Sequence, residues 1–135
     1  MIFLPIKPEY ALAIQEGRKK VEFRKIAFKR KDVGRCIVYV SSPYKRVIGY
    51  FEFDKIDEGS PREIWEKYKE VAGVCKEDYE EYYRRSEKAF AIIINKFVLL
   101  EEPISPQEKI ENFRIPQSFC YLEDRHIQAF GILEA

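Results

Sequence analysis

The sequence predicts a single α+β domain over residues 1–135, with a core of mostly antiparallel strands and inserted and flanking helices. Three observations point there. Runs of alternating or β-branched residues recur at 20–24, 35–41, 47–56 and 90–100. Helix-start signals stand between these runs. No repeat, low-complexity tract or Gly/Ser/Pro-rich linker divides the chain.

Ile2 to Ile6 reads as a short extended piece. Pro8 suits a first helical turn, Tyr10, Ala13 and Ile14 share one helical face, and Gly17 stands in the C′ position. Lys20 to Arg24 alternates strictly, which turns Val21 and Phe23 inward and sets Lys20, Glu22 and Arg24 on the opposite face. A basic loop, Lys25 to Gly34, leads into the β-rich run Arg35 to Ser41, and Pro43 and Tyr44 turn the chain. Val47 to Ile56 reads as one long strand. Ser60-Pro61-Arg62-Glu63 is a capping box with proline at N1, opening a helix with Ile64, Trp65 and Tyr68 on one side. Glu77 to Arg85 reads as a second helix, and Phe90 to Leu100 as one strand centred on three isoleucines. Ser105-Pro106-Gln107-Glu108 repeats the capping-box pattern. The stretch before Pro116 must be extended. Leu122 to Ala129 suggests a short helix, and Phe130 to Leu133 a closing strand.

The net charge of +1 hides an asymmetry. Residues 1–55 hold 13 basic and 6 acidic side chains, residues 56–135 hold 11 and 17, and Gly17 to Arg35 alone holds 9 and 2. A local basic patch of that kind suits phosphate attraction. No GxGxxG or GxxxxGK[ST] loop occurs, which sets classical nucleotide-binding loops aside. Cys36, Cys75 and Cys120 are odd in number and lack CxxC spacing, and His126 is the sole histidine. No metal site, cofactor or disulfide framework is expected, and the three thiols read as reduced and partly buried. No apolar run approaches the ~20 residues of a membrane span, and Met1 to Lys7 lacks the order of a secretory leader. A cytoplasmic setting is the expectation.

The most informative stretch is Gly17-Arg18-Lys19-Lys20-Val21-Glu22-Phe23-Arg24, a G-x-K-x-x-E-x-R pattern at a helix end, a turn and a strand start. Glu22 and Arg24 point to one side, so the carboxylate can orient the guanidinium and leave further N–H donors for a phosphate or carbonyl. Lys19 adds a point charge at the turn. The stretch resembles the signature of the ASCH domain family, relatives of the PUA RNA-binding fold. The surrounding order agrees: Leu4-Pro5-Ile6, a helix, the motif, a loop ending in Gly34, then strands containing Ile37–Ser41 and Gly49.

The resemblance implies a small β-barrel with a positively charged cleft, in a family linked to RNA or modified nucleosides. It carries Lys19, Glu22 and Arg24 into that cleft, with Gly17 as the structural turn. Some members are amidohydrolases of acetylated cytidine, with a threonine three residues after the lysine. Here that residue is Glu22, which can move a proton but supplies no hydroxyl. Ser41 and Ser42 are the nearby hydroxyls that could substitute.

Tyr39, on the strand face shared with Ser41, is a candidate stacking ring. Gln117, Ser118 and Phe119, beside Pro116, form a second candidate wall. Three functions follow from these residues. One is an RNA- or nucleoside-binding module, steered by Lys29-Arg30-Lys31. A second is a small hydrolase of modified nucleosides or RNA, with Lys19 and Glu22 as its acid–base pair. A third is a protein-interaction module using Tyr79, Tyr82 and Tyr83.

Overall fold

A computed structural model describes residues 1–30 and 32–132. Its elements run β1 (Ile2–Ile6), α1 (Pro8–Gln15), β2 (Val21–Arg24), β3 (Arg35–Val40), β4 (Arg46–Glu52), β5 (Ile56–Gly59), α2 (Pro61–Tyr68), a 3₁₀ turn (Lys69–Val71), α3 (Lys76–Tyr82), β6 (Ala89–Ile93), β7 (Lys96–Ile104), α4 (Pro106–Lys109), β8 (Cys120–Tyr121) and α5 (Asp124–Phe130). The α+β class stands, but the expected barrel does not close. A five-stranded sheet, β7-β4-β3-β1-β8, packs on a three-stranded sheet, β2-β6-β5.

The two long strands read from the sequence are each broken in two, and this division makes the two sheets. The run from Val47 divides after Glu52 and the run from Phe90 after Ile93, so β4 pairs with β7 while β5 pairs with β6. The hydrogen bonds turn at the breaks: Phe53 N–H donates to the Gly34 carbonyl, Asn95 N–H to Glu52 and Ile94 N–H to Lys20. Periodicity shows a continuous apolar run but not a change of partner within it. The pairing of β1 with β3 is parallel, Ile2 opposite Cys36 through Ile6 opposite Val40, which makes the large sheet mixed within the mostly antiparallel arrangement expected. At Gly49 an added Cβ would overlap the Val98 carbonyl, so β4 and β7 approach as closely as they do because that side chain is absent.

Alternation along the strands builds three apolar layers. Ile2, Leu4 and Ile6 of β1, Val38 and Val40 of β3 and Ile92 of β6 fill the space between the sheets, with Phe28, Phe51 and Phe53. Phe3, Ile37, Tyr39 and Val47 face the other way, onto Ile127 and Phe130 of α5. Val21, Phe23, Ala89 and Ala91 cover the outer face of the small sheet and pack on Ile64, Tyr79 and Tyr83. Each large apolar side chain buried this way contributes about 1.5–3 kcal/mol.

The local signals fare unevenly. The Ser60 capping box forms in both directions, whereas Ser105 makes no side-chain cap bond. The closing strand does not follow, because α5 runs through Phe130 and Gly131 ends it at φ 68°; Leu133 lies outside the described residues. Cys36 is buried and Cys120 partly so, but Cys75 is exposed rather than partly buried. No described helix is long and apolar enough to cross a membrane.

Candidate functional site

The motif begins where α1 ends. Gly17 takes φ 81° just beyond the Glu16 cap, and the Arg18 and Lys19 amides both donate to the Ala13 carbonyl, so the chain reverses directly into β2. Val21 and Phe23 then serve the helix-covered face, and Glu22 and Arg24 must point toward β1. Glu22 lies opposite Ile92 in the β2–β6 ladder, so its carboxylate enters the space between the sheets instead of water. It is 6% exposed and Lys19 is 3% exposed.

A buried charge needs partners, and these have them. Arg24 Nε donates to Glu22 Oε2 at 3.0 Å, and Arg24 Nη2 lies 2.8 Å from the same oxygen. Nη2 also donates to the Pro5 carbonyl at 2.9 Å, and Nη1 to the Ser118 carbonyl at 3.3 Å. The guanidinium is therefore a clamp joining β2, β1 and the 117–119 stretch, with only part of its donor set left for a ligand. Lys19 Nζ donates to the Ala72 carbonyl at 2.7 Å and stands 3.9 Å from Glu22 Oε1. The same ammonium is 4.8 Å from the Phe23 ring centroid and 5.4 Å from that of Tyr10, within cation–π range. Burial pushes the Lys19 pKa below the usual lysine value; Glu22 opposes that shift and Arg24 adds to it.

These three side chains line a cleft of about 500 Å³. Pro5, Ile6 and Lys7 at the end of β1 and Glu9 and Tyr10 of α1 form one side; Val74, Asp78, Tyr79, Glu81 and Tyr82 in and before α3 form the other. Phe23, Ser41 and Gln117 complete the lining. The volume falls within the ~300–1,000 Å³ of small-molecule sites. The lining is not the positive cleft that the resemblance implied, because four carboxylates meet three cations there. The described basic side chains of 25–35 are outside that lining: Lys25 sits over the Tyr82 ring at 4.6 Å and Arg30 over the Tyr121 ring at 5.1 Å. The Tyr121 hydroxyl accepts from the Lys29 and Arg30 amides at 2.9 and 3.3 Å, which ties this loop to β8. Lys31, the third member of that basic run, lies outside the described residues.

Of the residues chosen from sequence, Lys19, Glu22, Arg24, Ser41 and Gln117 come together on the cleft. Gly17 stands at the turn below it, and Ser118 contributes its backbone carbonyl to Arg24. Ser42 is exposed in the turn after β3 and is not in the lining. Tyr39 is displaced from its expected place: it packs on Phe3 at 5.3 Å in the α5 layer. The strand ends at Val40, after an irregularity between Val38 and Tyr39, so the alternation that would pair Tyr39 with Ser41 does not extend that far. Phe119 packs edge-on to Phe28 at 4.9 Å rather than lining the cleft.

The sequence reading missed the wall from α1 and α3 and the small residues that seat Lys19. Gly73, at φ 64°, has no room for a Cβ, which would overlap the Lys19 Cβ and Cγ. Tyr79 and Tyr83, candidate interaction aromatics, are buried against the small sheet, and Tyr83 donates to the Arg24 carbonyl at 2.8 Å. Only Tyr82 of the three is exposed.

Residues 4–98 match the ASCH domain model. The chain is 32% identical over 127 residues to an ASCH domain-containing ribonuclease of Zymomonas mobilis, covering 90% of this chain and 83% of that protein. A crystal structure of ASCH from Zymomonas mobilis superposes with a TM-score of 0.87 at 30% identity, covering 98% of this chain and 94% of that one. The N-terminal domain of Staphylothermus marinus McrB superposes with a TM-score of 0.62 over 96% of this chain and 92% of that one, and at 12% identity it shares the fold alone. Motif, element order and these matches agree: the chain belongs to the ASCH domain family.

Proposed function

We propose that this ASCH domain acts on single-stranded RNA, taking one unstacked nucleotide into the cleft between α1, β2 and α3. The observation that carries this reading is the buried Lys19–Glu22–Arg24 cluster set into the wall of an open, aromatic-lined cleft. Even a partnered buried ammonium adds little to stability once its desolvation is counted, and such perturbed groups concentrate at sites of function. Tyr10 and Tyr82 offer ring faces for a base, and polar edges at the inner end offer hydrogen bonds. Lys25, Lys29 and Arg30 lie outside, where the flanking phosphates of a strand would run.

A short fluorescent single-stranded RNA, titrated at low salt, tests this. Binding is expected to weaken with added salt through the outer cations, and Lys19→Met is expected to weaken it by about tenfold, the loss of one charged hydrogen bond. Equal affinity for Lys19→Met and the native chain would remove the cleft from the reading.

RNA cleavage is a second reading, favoured by the ribonuclease among the relatives. Lys19, its pKa lowered by burial, is suited to accept the proton of a 2′-hydroxyl as that oxygen attacks phosphorus. The P–O5′ bond would break and the leaving 5′ oxygen would take a proton from water, leaving a 2′,3′-cyclic phosphate and a 5′-hydroxyl. The two readings differ in what meets the inner cations, a base edge or a phosphate. Appearance of cyclic-phosphate ends, lost in Lys19→Met and rising with pH below 10.5, would favour cleavage; intact RNA throughout would favour binding alone. A hydrolase of acetylated nucleosides has less support, since Glu22 stands where the threonine is expected.

A further inference from the structure

The cleft carries a charge gradient, and this is informative about what fits it. At the inner end Lys19 and Arg24 outnumber Glu22, and all three are shielded from water to differing degrees. At the mouth the balance reverses: Glu9, Asp78 and Glu81 outnumber Lys7, and all four are exposed. Glu81 also faces Arg84 at 3.7 Å, whereas the partner of Asp78 is the Cys75 thiol, which carries no opposing charge, so Glu9 and Asp78 are the carboxylates of most interest. Both act on the Tyr10 hydroxyl, whose pKa is raised by burial first and then by Asp78 and Glu9, so Asp78 approaches Tyr10 and Glu9 from the opposite wall of the opening. The inner cations are not fully spent: the Lys19 ammonium has one hydrogen bond, to Ala72, and the Arg24 guanidinium, with Nε on Glu22, Nη2 on Glu22 and Pro5 and Nη1 on Ser118, keeps one of its five N–H donors.

A ligand that fits this gradient has hydrogen-bond acceptors at one edge and donors at another, with a flat ring between. Guanine has this arrangement: O6 and N7 accept, and N1–H and the 2-amino group donate side by side. Lys and Arg are the usual partners of O6 and N7, and a carboxylate matches a pair of adjacent N–H donors in two parallel bonds. Uracil lacks the second donor. Adenine has no carbonyl for the inner cations. The ring faces of Tyr10 and Tyr82 discriminate little among bases, so selection would fall to the two charged ends.

We propose that the cleft is selective for guanine, its O6/N7 edge toward Lys19 and Arg24 and its N1–H/2-amino edge read by Asp78 with Glu9. This rests on the reading of the cleft as a nucleotide site and adds the base that it prefers.

Two binding series test it: U-rich single-stranded oligonucleotides carrying one central guanine, inosine or adenine, and the free nucleosides guanosine, inosine, adenosine and uridine measured by calorimetry. Inosine keeps O6, N7 and N1–H and lacks only the 2-amino group. The guanine oligonucleotide should bind roughly tenfold more tightly than the inosine one, the discrimination of one good base contact. In an Asp78→Asn/Glu9→Gln variant that preference should shrink to about twofold or less. Both substitutions are on exposed positions, and an unchanged thermal midpoint verifies the fold. Oligonucleotides bound without base preference, or a preference undiminished in the variant, overturn the guanine assignment and leave RNA binding standing. Free guanosine preferred while no oligonucleotide binds overturns the RNA reading and supports the guanine site. If neither series binds, both fall.

Discussion

Lys19 is seated by a glycine fifty-four residues away. Gly73 combines a left-handed backbone with no space for a Cβ, so Gly73→Ala is penalised twice, by backbone strain and by displacement of the Lys19 stem. A loss of about 1–3 kcal/mol is expected, read as a lower urea midpoint. On the proposed reading of the cleft, RNA affinity should fall with it, because the ammonium would leave the Ala72 carbonyl and move away from Glu22. Retained stability together with native RNA affinity would mean that the 72–74 turn can open without consequence for the site. The motif itself was legible: residues three and five places beyond Lys19, two of them on one strand face, must lie close together. The Gly73–Lys19 contact was not, since nothing local to either residue encodes it.

The helices show which local signals survive packing. Ser60 and Ser105 open the same four-residue pattern, yet only Ser60 makes the reciprocal cap, its Oγ accepting from the Glu63 amide at 3.1 Å while Glu63 Oε1 accepts from the Ser60 amide at 3.0 Å. Ser60→Ala should therefore lower stability by about 1 kcal/mol and Ser105→Ala by much less. Paired thermal melts check this, and equal losses would refute the distinction. The contrast also bears on the site, because α2 and α3 pack Ile64, Tyr79 and Trp65 on the outer face of β2, the strand that holds Glu22 and Arg24. At the same scale, capping, proline at N1 and period-two alternation identified most elements correctly. They failed where one apolar run passes from one sheet to the other, since the break depends on partners contributed by Gly34, Lys20 and Glu52.

For the whole molecule, alkaline pH is the informative stress. Burial raises the phenols of Tyr79 and Tyr68 from 10.0 to about 12, with the Asp57 hydrogen bond also raising Tyr68, and burial raises Tyr83 further still. A group whose folded pKa exceeds its unfolded value confers stability that is whole below the unfolded pKa and is lost as pH rises through the folded one. These tyrosines therefore favour the fold below pH 10 and cease to do so as pH climbs toward 12 and beyond. Lys19 acts in the opposite sense: its lowered pKa makes the fold gain stability as pH rises toward 10.5, and one lysine is set against three tyrosines. The urea midpoint should decline between pH 10 and 12, and less steeply in Tyr83→Phe. A midpoint that stays flat to pH 12 would contradict this account.

The amino-acid sequence by itself determined what is local: the strand and helix starts, the turn at Gly17, and the adjacency of Lys19, Glu22 and Arg24. Short-range periodicity and caps encode those features directly. Tertiary structure alone decided that Glu22 is buried, that α1 and α3 complete the cleft, and that its mouth is acidic although the motif around it is basic. Alternation tells which side chains share a face but carries no information about what closes over that face. The covering elements come from residues 5–10 and 72–82, brought to β2 only by chain packing.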